Sequence, residues 1–167
     1  MRYLSVLKQP FVLHGTLHYG GPGELGKRVD TPYRESTTIS AGKVDVARAG
    51  RPDQHFPLAR APELQAMLAA FGALLGGDAE TLQRYYETDL RLDGQRFTLV
   101  LTPRLAALAR HLRRVVVDGS GSEPQCFSMQ QTDGDASVML LGAKAAAPLP
   151  DPPARAALAA LCATPVR

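Results

Sequence analysis

The chain contains no tryptophan, and five tyrosines and five phenylalanines are its whole aromatic complement. Its basic residues are scattered apart from a short cluster at 110–114. A nucleic-acid surface needs a basic stripe interleaved with stacking rings, so this class of function is argued against. No run of about 18 apolar residues occurs, and no helix can therefore cross a membrane. The two cysteines, Cys126 and Cys162, form no C-x-x-C pair, which removes the usual zinc and redox motifs. Whether they bond to each other depends on the compartment and stays open. Charge of neither sign dominates: nineteen Lys plus Arg face sixteen Asp plus Glu, a net +3. The first eight residues lack the apolar run and small-residue cleavage site of a secretory signal, leaving a cytosolic protein or one whose signal has been removed.

What is present is alternation. A chain of 167 residues with 45% hydrophobic content reads as one domain with a sizeable core. In residues 11–30, Phe11, Leu13, Leu17 and Tyr19 alternate with His14, Thr16 and His18. A period of two gives one apolar and one wet face. Gly20, Gly21, Pro22 and Gly23 reverse the chain, and the return strand carries Leu25 and Val29. Residues 3–7 predict a short separate strand before this hairpin, ended by Pro10. Further strands are predicted at 33–40, 43–47, 54–58, 86–92, 96–103, 113–118, 125–132 and 136–142.

The period changes at Pro62. Leu64, Leu68, Phe71 and Leu75 recur at helical spacing, with Met67 and Leu74 widening the stripe and Gly76-Gly77 stopping it. Asp78 caps a second helix at 79–85. A turn or two of helix follows at 104–111, an Ala/Pro linker at 143–153, and a last helix at 152–161 capped by Asp151. The class is antiparallel α+β, with about eight to ten strands in a continuing sheet and three or four helices.

No catalytic constellation emerges. The turn Gly119-Ser120-Gly121-Ser122 does not match a nucleophile elbow. His14 and His18 lie about 13 Å apart on one strand, too far to share a metal. His55 and His111 are isolated, and Asp133-Gly134-Asp135 reads as turn chemistry rather than a calcium loop. The glycines of the first turn open no helix and so cradle no phosphate. The chain reads as non-enzymatic, without metal or cofactor. Its remaining feature is an apolar sheet face beside an amphipathic helix. Either the helix fills the core, or sheet and helix leave a cavity for an apolar ligand.

The order of hairpins resembles the LolA family, periplasmic carriers of lipoproteins between the membranes of Gram-negative bacteria. The resemblance rests on Gly15-x-Leu17-x-Tyr19-x-x-Pro22-Gly23-x-Leu25, followed by Lys27, Pro32, Ile39 and Gly42-x-Val44. It continues in Leu92-x-Gly94, Phe97-x-Leu99-x-Leu101-x-Pro103 and Asp133-Gly134-Asp135 leading to Val138-Met139. It is closest to a divergent LolA-related branch, some members of which accompany lipid or polyene biosynthesis. The resemblance covers most of residues 11–142, making residues 1–142 a LolA-like domain and 143–167 an added linker and helix.

The resemblance implies a half-open antiparallel β-barrel with a helical lid over a hydrophobic cavity. Leu13, Leu17, Tyr19, Leu25, Ile39, Val44, Val46, Leu99 and Leu101 would line it, with Leu64, Leu68 and Phe71 on the lid. It also implies acyl-chain cargo, an inner-membrane donor, an outer-membrane acceptor, a monomeric state and a signal peptide not contained in this sequence. Family carriers place a basic lid latch just before the proline of the first hairpin; here that position is Gly21. The alternative is a fully packed protein-interaction module of an envelope assembly or lipid or polyene biosynthetic system.

Overall fold

Two open antiparallel sheets account for every strand among the described residues. The computed structural model describes residues 1–4, 10–21, 23–76, 78–149 and 154–163. Residues 5–7 of the expected first strand, Pro22, Gly77, Asp151 and Pro152 lie outside these, as do the side chains of Met67 and Leu75. The chain divides into two units, Val12–Tyr85, and Met1–Phe11 with Tyr86–Arg167.

In the 12–85 unit, β2 (His14–Gly21), β3 (Glu24–Thr31), β4 (Glu35–Ser40), β5 (Lys43–Arg48) and β6 (Gln54–Pro57) form a meander in chain order. The β2–β3 register shifts between His14 and Gly15. A Cβ at Gly15 would stand 1.8 Å from the Arg28 carbonyl oxygen, so only glycine allows the two backbones to approach there. Ala41 and Gly42 turn β4 into β5 with φ of 48° and 73°, the two positive values of a type I′ hairpin. After a 3-10 turn at Leu58–Arg60 come α1 (Pro62–Gly76) and α2 (Ala79–Tyr85), which pack on each other. Asp78 caps α2: the Thr81 amide donates to Oδ1 at 2.9 Å and the Thr81 hydroxyl to Oδ2 at 2.5 Å. The hydroxyl foremost, then the amide, holds the Asp78 carboxyl below its usual range.

The other unit contains β1 (Arg2–Tyr3), β7 (Tyr86–Asp93), β8 (Arg96–Pro103), α3 (Ala106–Ala109), β9 (Leu112–Ser120), β10 (Glu123–Gln131), β11 (Ala136–Leu140), α4 (Gly142–Ala146) and α5 (Arg155–Ala163). Its sheet runs β1-β11-β10-β9-β8-β7, so the N-terminal strand closes one edge beside the last strand. The Asp93-Gly94 signal marks the right hairpin, one residue early. Asp93 pairs with Arg96, and the loop is Gly94-Gln95 with Gly94 at φ 61°. Glycine at the first loop position is the type II′ preference. At the third hairpin the Asp135 amide donates to Asp133 Oδ1 at 2.9 Å, an Asx turn, as the turn reading of Asp-Gly-Asp requires.

Alternation gives this second sheet two differently used faces. Leu99 pairs with Val117 and Leu101 with Val115 on one face, and all four are buried. Cys126 of β10 points to the other, where it is bonded to Cys162 of α5 with the Cα atoms 5.7 Å apart. Leu158, one helical turn before Cys162, is fully buried. Lys144 of α4 is buried too, and its ammonium donates to the Leu161 carbonyl in the last turn of α5. Burial foremost and then the Arg96 charge push the Lys144 pKa down, against the opposing pull of Asp118.

Several boundaries differ from the sequence reading. The single continuing sheet is two sheets, and the expected helix at 104–111 shrinks to α3. The stretch read as linker opens with α4, whose run of alanine and lysine has helix propensity but too short an apolar period to announce itself.

Two measurements test this packing. The disulfide closes a loop with a sequence separation of 36. Its removal by Cys126→Ala with Cys162→Ala is expected to cost about 4 kcal/mol in chemical denaturation. Second, Tyr86 is fully buried, its hydroxyl has no hydrogen-bond partner, and burial raises its pKa above the ordinary 10.0. An unfolded tyrosine loses its proton above pH 10 while the folded one keeps it, so this contribution to stability is complete below pH 10 and declines above it. Between pH 10 and 11, wild type should lose about 1 kcal/mol more than Tyr86→Phe in urea titrations. Parallel pH profiles would contradict the buried position of the phenol.

Candidate functional site

The pairing registers of the 12–85 unit place one residue from each strand in a row. Tyr19 lies opposite Leu25, Leu25 opposite Ile39, Ile39 opposite Val44 and Val44 opposite Phe56. The row crosses the whole sheet and is apolar throughout except for the Tyr19 hydroxyl. The next row two residues along is Leu17, Lys27, Thr37, Val46 and Gln54, and the one beyond is Gly15, Val29, Glu35 and Arg48. One face thus grades from hydrocarbon to charge. Side chains directly opposite across strands lie about 5 Å apart, so each row is a continuous surface.

The apolar end is covered by α1. Leu25, Ile39, Val44, Leu58 and Leu68 form one buried cluster, with Leu17, Tyr19, Val46, Phe56 and Leu64 packed against it. Leu64, Leu68 and Gly72 recur every four residues and share one helix face. The Tyr19 phenol reaches the last of them: a Cβ at Gly72 would stand 3.3 Å from the Tyr19 hydroxyl oxygen. That hydroxyl is buried and has no hydrogen-bond partner among the described residues. Phe71 is buried as well.

The charged end is paired internally. Glu35 carries Lys27 at 3.8 Å and Arg48 at 3.7 Å, and the Arg48 guanidinium lies 3.9 Å above the Tyr33 ring. Around it is a cavity of about 380 Å³ whose lining includes Arg28, Arg34, Arg48, Asp30, Glu35 and Asp53. The Arg28–Asp30 pair, at 3.0 Å, supplies part of that wall. Charged side chains border this cavity, with Val29, Ala47 and Ala49 between them.

The structure therefore brings Leu17, Tyr19, Leu25, Ile39, Val44, Val46, Leu64 and Leu68 into one cluster. Leu13 is half-buried beside β2 and lies outside that cluster. Leu99 and Leu101 are buried in the sheet of the other unit, on the face opposite the disulfide. There the apolar face runs outward along β7 to Leu90 and Leu92, which are 57% and 72% exposed. Three participants escaped the sequence reading. Phe56 and Leu58 were visible in alternation but isolated by Pro57, and Gly72 carries no side chain for a periodicity count to find. His55, read as isolated, hydrogen-bonds to Asp45 at 2.6 Å across the exposed side of β5 and β6. His14 and His18 are exposed on the other side of β2 from Leu17 and Tyr19.

No helix among the described residues is long and apolar enough to cross a membrane. Comparison with individual curated proteins gave no match. The sequence pattern of the family described as outer membrane lipoprotein carrier protein LolA-like matches residues 1–164. That match runs through α4 and α5, which the resemblance by motif had left outside. An α+β chain of antiparallel hairpins carrying the LolA-like signature from β1 to α5 belongs to the LolA-like family of outer membrane lipoprotein carriers.

Proposed function

We propose that the protein is a non-enzymatic periplasmic carrier that takes the acyl chains of a lipoprotein, or of another lipid, onto the sheet face beneath α1 and moves them between inner and outer membrane. The observation that carries this reading is the five-strand apolar row covered by a single helix. Family membership supports it, and so does the disulfide, which suits an oxidising compartment. The working form is the half-open barrel with α1 as lid that the family implies, acting as a monomer between a donor and an acceptor. Leu99 and Leu101 join the cavity residues on the family resemblance alone.

The energetics fit transfer without covalent chemistry. Each acyl methylene taken from water is worth about 0.8 kcal/mol, which forbids a long chain from crossing the aqueous space unaccompanied. Leu64 and Leu68 cover the row by apolar contact. Cargo that displaces α1 replaces that contact with an equivalent one, so uptake and release can stay near balance.

A second reading, an interaction module of an envelope assembly or of a lipid or polyene biosynthetic system, is favoured by one observation: the row and α1 already pack on each other. Lipid decides between them. Solvent extraction and mass spectrometry of the purified protein should yield co-purified acyl lipid, and the protein should take up a fluorescent fatty acid. Leu17→Asp places a charge on the second row and is expected to abolish uptake while circular dichroism stays unchanged. Full uptake by a folded Leu17→Asp protein would remove Leu17 from the site, and absence of lipid in both assays favours the interaction module.

A further inference from the structure

We infer that Tyr19 is a specificity-determining group that donates a hydrogen bond to a carbonyl oxygen of the bound lipid, so that the site selects acyl esters, amides or acids over plain hydrocarbon. The inference rests on the carrier reading and names the chemistry that its site recognises.

Tyr19 packs in a hydrocarbon cluster with Leu17, Leu25, Leu64 and Leu68. Among these neighbours the phenol alone can donate a hydrogen bond. Yet its oxygen is buried and, among the described residues, unpartnered. A buried hydroxyl without a partner is costly, whereas phenylalanine would fill the same volume at no such cost. An unsatisfied donor is suited to a partner that arrives with the ligand.

The α1 backbone opposite decides when one can reach it. Gly72 lies on the Leu64–Leu68 face of α1, and a methyl there would stand 3.3 Å from the hydroxyl. Glycine inside a helix costs about 1 kcal/mol relative to alanine. At this position it lets the phenol pack directly on the α1 backbone, so the hydroxyl opens to an acceptor when cargo displaces α1. A lipid whose chain lies along the apolar row and whose carbonyl meets Tyr19 satisfies the hydroxyl. A chain without an acceptor leaves it as unsatisfied as before.

The test compares two ligands of similar length, methyl decanoate, with a strong acceptor, and 1-chlorodecane, with a poor one. Each is titrated as a competitor against a fluorescent fatty acid bound to wild type and to Tyr19→Phe. Phenylalanine removes only an unsatisfied hydroxyl, so the variant is expected to fold at least as stably as wild type, which thermal unfolding verifies. Tyr19→Phe should weaken methyl decanoate by about fivefold and leave 1-chlorodecane within about twofold. Equal affinity of both proteins for methyl decanoate overturns the role of Tyr19 and leaves the carrier reading intact. So does an equal loss for both ligands, which would mark a shape effect. Failure of wild type to bind any of the probes overturns the carrier reading and this inference with it.

Discussion

Everything in the 12–85 unit depends on one contact, the packing of α1 against the Tyr19–Leu25–Ile39–Val44–Phe56 row. Five strands in a meander have two faces, and a meander of this width cannot leave an apolar face in water. Burying a single leucine or isoleucine side chain is worth about 1.5–3 kcal/mol, and the row with its neighbours collects several such terms. The helix stripe repeats every three to four residues because its hydrocarbon must stay over that row. Two residues further along, Lys27 and Thr37 replace leucine and isoleucine, and at Glu35, one row beyond, charge pairing takes over from burial. The boundary of the site is therefore written in the strands themselves.

The second unit holds its helix by different means. There α5 is fixed to β10 by the Cys126–Cys162 bond and to α4 by the Lys144 hydrogen bond to Leu161. A covalent staple and a buried ammonium both resist partial opening, since exposing one end breaks or strands a specific partner. Leu64 and Leu68 hold α1 by contacts that are non-directional and can be replaced by any hydrocarbon of similar volume. Contacts of this kind are what the proposed exchange of α1 for cargo requires.

Period-two alternation made the first hairpin, the β4–β5 pair and the β7–β8 pair legible, and the change of period at Pro62 located α1 to its last residue. Registers were less legible, because Asp93-Gly94 names a turn without saying which residue occupies its first position. The division into two sheets was invisible, since alternation describes a strand's faces and not its neighbours. Cys126 and Cys162 could not be paired from sequence because the chain between them, over a sequence separation of 36, holds a hairpin and helices whose directions set the Cα separation. The site was legible wherever a bulky residue carried it. Gly72 was not, because its contribution is the absence of a side chain.

Gly21, the position where family carriers place a basic latch, shows why closure here must be apolar. Its φ is 126°, a backbone conformation open to glycine and strained for any residue with a Cβ. A Cβ built there meets nothing within 4 Å, so the obstacle is the backbone and not a lack of room. An arginine at this position would have to rebuild the β2–β3 turn that sets the Tyr19–Leu25 register. Keeping the turn and keeping an ionic latch at Gly21 are therefore incompatible in this chain. On the carrier reading proposed above, a closed state would rest on the Leu64 and Leu68 contacts, whose worth would fall when a lipid offers the same burial to the sheet. On that reading the equilibrium between covered and loaded states would be set by hydrocarbon area on both sides, and a single hydrogen bond at Tyr19 would be enough to bias it by several-fold.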